Sequence, residues 1–332
     1  MDTLFTTFLR RSLWAMVLSA PAWSQTPRPP RPGSINYVEG HASIGTNALT
    51  PGAVGSVVLE KDQLLTTQAG KVEVLLTPGV FLRVADNSSV KMVSLDLTDT
   101  RVELQKGRAL VEVIQIRKEN DLRIDQNGAT TRILKTGLYD FDADHAQVRV
   151  FKGSAEVTAA DQEVKLTENR QTALNAGVKP KSQTFDPKVF QDDFYRWTSL
   201  RSGYLSEASV SAARTYMGAG IGLYGPGWLG FGWYWDPMFG VYTFLPADGI
   251  FMGPFGWGFY SPFAVYASPF FYHPGIPHRF DEFHYPYGHG FPGPGRTGRP
   301  MSELQRAFPN NPKMVACARG IRYSSFNLLS IA

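Results

Sequence analysis

The chain has 332 residues, 33 Lys and Arg against 29 Asp and Glu, a formal net charge of +4 and one cysteine. The charges are scattered rather than blocked, which leaves no electrostatic footprint for nucleic acid. The lone Cys317 excludes an intramolecular disulfide, so a chain of this length must be held by its core alone.

The N-terminus has the features of an export signal. Arg10 and Arg11 form a positive n-region, and residues 12–20 (SLWAMVLSA) form a short apolar h-region. Ala20-Pro21-Ala22 or Ala22-Trp23-Ser24 offers the small-residue cleavage site. The apolar run falls short of the ~20 residues that span a bilayer. We therefore expect residues 1–24 to be a signal peptide and the mature protein to be periplasmic or secreted. The arginine pair matches part of a twin-arginine signal, and no cysteine follows the h-region to take a lipid. Residues 25–34 form a Pro-rich, extended spacer.

From residue 35 to 176 the chain alternates apolar and polar side chains with period two. Val72-Glu73-Val74-Leu75, Phe81-Leu82-Arg83-Val84, Leu110-Val111-Glu112-Val113 and Gln147-Val148-Arg149-Val150 are examples, each read as a half-buried strand. Turn signals separate them, among them Thr77-Pro78-Gly79, Gln126-Asn127-Gly128 and Ala143-Asp144-His145. This predicts an all-β sandwich or roll of short strands. The carboxylates of the region fall at outward positions, where a solvated face is expected.

The texture changes at Asp186-Pro187, a helix cap followed by a first-turn proline. Residues 186–217 are read as a helical connector. Phe190, Phe194, Trp197, Leu200 and Tyr204 give it one aromatic face, with Gln191, Asp192, Asp193 and Arg196 mostly opposite. Gly203 is expected to break the helix, with a second short helix after Ser206. Residues 218–295 are an irregular Gly/Pro/aromatic-rich region; between Arg214 and Arg279 the charged residues are Asp236 and Asp248. Proline and glycine exclude one continuous membrane helix there, and its aromatic content excludes an ordinary solvated linker. Residues 296–332 are a mixed tail. The β region is expected to stay folded when residues 218–332 are deleted.

No catalytic motif stands in the chain: there is no Gly-x-Ser-x-Gly elbow and no zincin helix. Asp192 and Asp193 are neighbours on a helix and point apart. The reading is non-enzymatic, with no cofactor. His273, His278, His284 and His289 gather with Asp281 and Glu282 in a Pro/Gly loop, which makes a metal-binding or enzymatic alternative, though their spacing matches no closed metal site. The sharper candidates for partner binding are Trp228, Trp233, Trp235, Trp257 and Tyr260. Such rings either stack on sugars or dock on a partner, or else pack together over the β region. Peripheral membrane association is a third reading, though the basic amphipathic face that usually accompanies it is missing.

The β region resembles the FecR domain family. Leu49-Thr50-Pro51-Gly52 precedes a strand and then Leu64-Leu65-Thr66-Thr67. Residues 71–80 (KVEVLLTPGV) look like the family's strand, turn and strand. Val84-Ala85-Asp86-Asn87-Ser88-Ser89, Val102-Glu103-Leu104-Gln105-Lys106-Gly107, residues 131–141 (TRILKTGLYDF) and Val150-Phe151-Lys152-Gly153-Ser154 follow in the family's order. Phe194-Tyr195-Arg196-Trp197 and then Gly225-Pro226-Gly227-Trp228 are similar to a C-terminal companion of secreted FecR-domain proteins. The resemblance covers residues 35–176 and implies a β interaction module. Its namesakes transmit signals through a cytoplasmic segment that holds a sigma factor; here only a short signal precedes the β region, so direct sigma-factor regulation is not expected. The expected partner is a cell-envelope polysaccharide, peptidoglycan or protein, with a signalling accessory as the alternative.

Overall fold

The computed structural model describes residues 29–174, 178–218 and 230–267. The signal peptide, Trp228, the His273–His289 loop, Cys317 and the tail lie outside the described residues.

β1 (Ile35–Ile44) and the short β2 (Asn47–Leu49) are followed by β3 (Leu64–Leu75), β4 (Val80–Val84), β5 (Ser89–Asp96), β6 (Asp99–Lys106) and β7 (Arg108–Val113). Then come β8 (Leu122–Gln126), β9 (Ala129–Ile133), β10 (Gly137–Asp142), β11 (Gln147–Lys152), β12 (Ser154–Ala159), β13 (Gln162–Thr167), β14 (Arg170–Ala173) and β15 (Gln183–Thr184). These strands hydrogen-bond into one sheet in the order β13-β12-β9-β8-β6-β5-β3-β4-β7-β10-β11-β14-β15, with β1 also on β3 and β2 on β1. Every pairing is antiparallel except β6 with β8.

The sheet divides on β3. Its first residues, Leu64–Thr66, pair with β5, and its last, Val72–Leu75, pair with β4. At the bend Gly70 lies so close to β1 that a Cβ would stand 2.4 Å from the Glu39 carbonyl oxygen, so only glycine fits. Apolar residues of the alternating pattern meet inside the resulting roll: Leu65, Val72, Val74, Leu82, Val90, Val102, Val111, Ile124, Phe141, Val148 and Val157 form one core. The all-β roll expected from period two is what the chain builds.

Beyond the roll, Asp186 caps a 3-10 turn over Pro187–Phe190, accepting a hydrogen bond from the Lys188 amide at 3.0 Å. The α-helix itself, α1 (Asp193–Gly218), is capped by Asp192, whose carboxylate accepts from the Tyr195 amide at 3.0 Å. It runs 26 residues without a break at Gly203, contrary to the expectation of two short helices. The Trp257 ring lies against Gly203, where a Cβ would meet it at 3.0 Å. The glycine admits a tryptophan to the helix backbone rather than ending the helix.

Residues 230–267 are more regular than their composition suggests. They form two hairpins, β16 (Gly232–Asp236) with β17 (Val241–Leu245) and β18 (Ile250–Met252) with β19 (Gly258–Tyr260), then a short helix, α2 (Pro262–Ala267). Asp236 closes the first turn: its carboxylate accepts from the Phe239 amide and its carbonyl from the Gly240 amide, both at 2.7 Å. These hairpins and α1 lie on the outer face of β3, β4 and β7. Leu75, Phe81 and Ile114 from the roll, Tyr204, Leu205 and Ala208 from α1, and Trp233, Tyr242, Phe244 and Phe259 from the hairpins make a second core. Among the described residues no helix is long and apolar enough to cross a membrane.

Candidate functional site

Among the described residues, the outer face of the covered strands carries most of the buried charge. Register places Glu73 opposite Arg83, Arg83 opposite Leu110, Leu110 opposite Asp140 and Asp140 opposite Arg149, one row across β3, β4, β7, β10 and β11. In the next row Leu75 faces Phe81, and Phe81 faces Glu112. The sequence pattern puts these charges outward correctly, but the solvated face expected for the carboxylates is wrong for Glu73, Glu112 and Asp140. All three are fully buried, Glu73 and Glu112 beneath α1 and the hairpins, Asp140 beneath the 3-10 turn and the start of α1.

Arg83 sits at the centre. Its Nε donates to Glu73 Oε2 at 2.8 Å and its Nη1 to Glu112 Oε2 at 2.6 Å, all three side chains being inaccessible to solvent. The helix adds Arg201, whose Nη2 donates to Glu73 Oε1 at 2.7 Å, and Ser202, whose hydroxyl donates to Glu112 Oε1 at 2.6 Å. The Arg201 guanidinium also lies 4.2 Å from the Tyr37 ring centre and 5.1 Å from that of Tyr204. From β1, the Asn36 amide nitrogen donates both to Glu73 Oε1 and to the Tyr242 carbonyl, each at 2.9 Å, while its oxygen accepts from the Tyr242 amide at 2.8 Å. Asn36 thus serves β17 as a strand edge would. Two guanidiniums and two carboxylates cancel in charge, and each buried charge has an opposite partner, the condition under which such groups persist in an interior.

A second cluster fixes the start of α1. Asp140 accepts from Arg108 Nε at 2.7 Å and from Arg149 Nη1 at 3.0 Å, and Arg108 donates also to Asp192, the helix cap. The Arg149 guanidinium stacks 4.2 Å from the Phe190 ring centre.

Burial raises the Glu73 carboxyl, but the adjoining Arg201 and Arg83 outweigh burial and hold it below the usual carboxylate range. At Glu112 burial outweighs the single guanidinium of Arg83 and the Ser202 hydroxyl, and the carboxyl stands above the usual range. The two groups therefore contribute to stability with opposite pH dependence. Glu73 supplies stability present above the ordinary carboxylate pKa and lost as pH falls through its depressed value. Glu112 supplies stability present below the ordinary value and lost as pH rises through its raised one. The deficit of Glu73→Gln is expected to hold level above about pH 4 and to shrink as pH falls below it, while that of Glu112→Gln shrinks as pH rises above about 4. Urea midpoints of both variants on either side of about pH 4 check this; parallel trends would contradict it.

The residues singled out for partner binding are placed as follows. Trp233 is buried, edge-on to Phe81 at 4.8 Å. Trp235 is half-buried, edge-on to Tyr242 at 5.1 Å. The half-buried Trp257 donates its Nε1 to the Ser199 carbonyl at 3.1 Å. Tyr260 is half-buried against Ala212, Ala213, Tyr234, Leu245 and Val265. The four belong to the cover of the roll, and Trp228 lies outside the described residues. Met238, Ile250, Met252 and Phe263 from the same segment are exposed instead. A groove of about 340 Å³ at the β1–β2 end of the roll, lined among others by Ile44, Leu49, Ala53 and Val57, carries no titratable side chain and so offers no general acid or base. Among the described residues no three His, Cys, Asp or Glu side chains gather as metal ligands.

Residues 62–156 match the family model described as FecR protein. The chain carries a FecR domain. Two crystal structures described as a candidate anti-sigma factor from Parabacteroides distasonis ATCC 8503, at 2.50 and 1.65 Å resolution, are similar at 17% and 16% identity, each with a TM-score of 0.32. Each match covers 36% of this chain and 58% of the other, so the chain spans less than two thirds of those structures. No curated protein matches the chain. The FecR match contains Glu73, Arg83, Glu112, Asp140 and Arg149. Asn36, Asp192, Arg201, Ser202 and Tyr242, which grip them, lie outside it. The buried charges are therefore the seam between the FecR domain and the segments that flank it.

Sequence reasoning missed this seam. One signal for it was on the page: Trp197, Arg201 and Tyr204 follow one another at four- and three-residue spacing, so Arg201 stands on the aromatic stripe of α1.

Proposed function

We propose that the chain is a non-enzymatic FecR-domain protein of the cell envelope that works by binding a partner there, a polysaccharide, peptidoglycan or protein. The observation that carries this reading is the outward side of the hairpin segment. Most of its rings are turned onto the FecR domain, yet Met238, Ile250, Met252 and Phe263 are 61, 39, 52 and 60% exposed. Ile250 and Met252, two residues apart on β18, share one face of it. Exposed apolar side chains that share a face support the reading of an interaction site. A second reading, an accessory in signalling, is favoured by the FecR match, and in it the partner is a protein that passes its state to a membrane protein.

A photo-reactive amino acid at Met252 tests both in the native host. The expected result is a cross-linked adduct in the envelope fraction, absent when the group is placed at His145, which is exposed on the FecR domain. An adduct dispersed by lysozyme identifies peptidoglycan; a discrete protein band favours signalling. No adduct from Met252 would sink the binding proposal.

A further inference from the structure

β13 closes one end of the sheet. It pairs with β12 through all six of its residues, Ser154 with Thr167 to Ala159 with Gln162. Among the described residues its other edge makes no backbone hydrogen bond. From Glu163 to Thr167 the strand alternates: Leu166 is buried in the core and Val164 packs partly against it, while Glu163, Lys165 and Thr167 are exposed on the outer face. An open edge of this length is a template for another strand.

We propose that β13 pairs antiparallel with β13 of a second copy of this chain, across a two-fold axis at Val164. The strand's own charges select that register. With Val164 opposite its counterpart, Glu163 faces the second copy's Lys165, and Lys165 faces the second copy's Glu163. Centring instead on Glu163 or on Lys165 sets like charges opposite each other, and slipping by one residue sends Val164 and Leu166 to the outer face. Within one copy Arg132 lies opposite Glu156 and Glu156 opposite Lys165. The junction would carry this row on to the second copy's Glu163, so charge alternates along it without interruption. Among the described residues neither Glu163 nor Lys165 holds a salt bridge, so both are available to the second copy. Val164, half-buried in one copy, gains its counterpart as cover. A two-fold contact of this kind is isologous and closes at two copies, and the paired sheet buries two aggregation-prone edges in one step.

Sedimentation equilibrium of the full-length chain tests this. The wild type is expected to dimerise with concentration. Glu163→Lys places lysine opposite lysine at both positions and should weaken the dimer roughly tenfold. Adding Lys165→Glu restores opposite charges with the order reversed, and the dimer should return. Both positions are exposed, so equal melting temperatures serve as the folding control. A wild type that stays monomeric, a dimer indifferent to Glu163→Lys, or a double variant that fails to recover would each overturn the proposal. A monomer would leave the edge to a strand from another protein.

Discussion

Replacing Arg83 with methionine is expected to destabilise the protein by about 3–5 kcal/mol, the range for removing one partner from a buried ion pair. The side chain is fully enclosed between Glu73 and Glu112, so methionine fills much of the volume but leaves Glu112 with no cation. Glu73 keeps Arg201, which is why the loss should fall near one pair rather than two. Adding Glu112→Gln to the variant removes the orphaned charge, and a substantial part of the stability is expected to return, since a neutral buried group needs only hydrogen bonds and Ser202 still supplies one. Acidification should act in the same direction. The Glu112 carboxyl already stands above the usual range beside Arg83, and without that guanidinium protonation relieves it further, so the deficit of Arg83→Met should narrow as pH falls. Urea unfolding of the three proteins at neutral and acid pH measures all of this. A loss under about 1 kcal/mol would mean that the cluster is hydrated and acts as a surface network.

The roll was legible because its signal is local. Period two in Val72-Glu73-Val74 or Val148-Arg149-Val150 states which side chains share a face, and the core formed on the side the pattern indicated. What the pattern cannot state is what lies over the other face. Glu73 and Glu103 have the same local sequence context, a carboxylate between apolar neighbours in a period-two strand. Glu73 is fully buried and Glu103 half-exposed, and the difference comes from α1 and the hairpins more than a hundred residues away. The same remoteness hid the role of Asn36, whose partner Tyr242 is 206 residues distant. Gly203 misled for a related reason: glycine inside a helix reads as a break until the ring that needs the space is known. The aromatic segment read as irregular because its glycines and prolines outnumber its turns. Its turn chemistry was nonetheless present, with Asp236-Pro237 opening one hairpin and Gly240 at positive φ ending its turn.

Deleting residues 218–332 is expected to cost several kcal/mol, a loss to be set beside the expectation from sequence that the β region stays folded. The stretch removed includes both hairpins. Its loss uncovers Leu75, Phe81 and Ile114 on the roll and Tyr204 and Leu205 on α1, all buried in the whole protein. Full exposure of such side chains costs about 1.5–3 kcal/mol each, and five of them approach the roughly 5–15 kcal/mol by which a domain is stable at all. The entropy released by the deleted residues does not offset this, because it leaves together with the burial those residues themselves contributed. The deletion also takes Tyr242 from Asn36 and the Gly253 turn from beside Glu112, opening the buried charges to water. With α1 gripped on one side only, the helix should fray from the roll. The truncated protein is expected to unfold at a much lower urea midpoint, to lose helical ellipticity before the β signal, and to bind a hydrophobic dye in its native baseline. A truncation that unfolds in one transition at the wild-type midpoint would show instead that the roll and α1 hold one another without the hairpins.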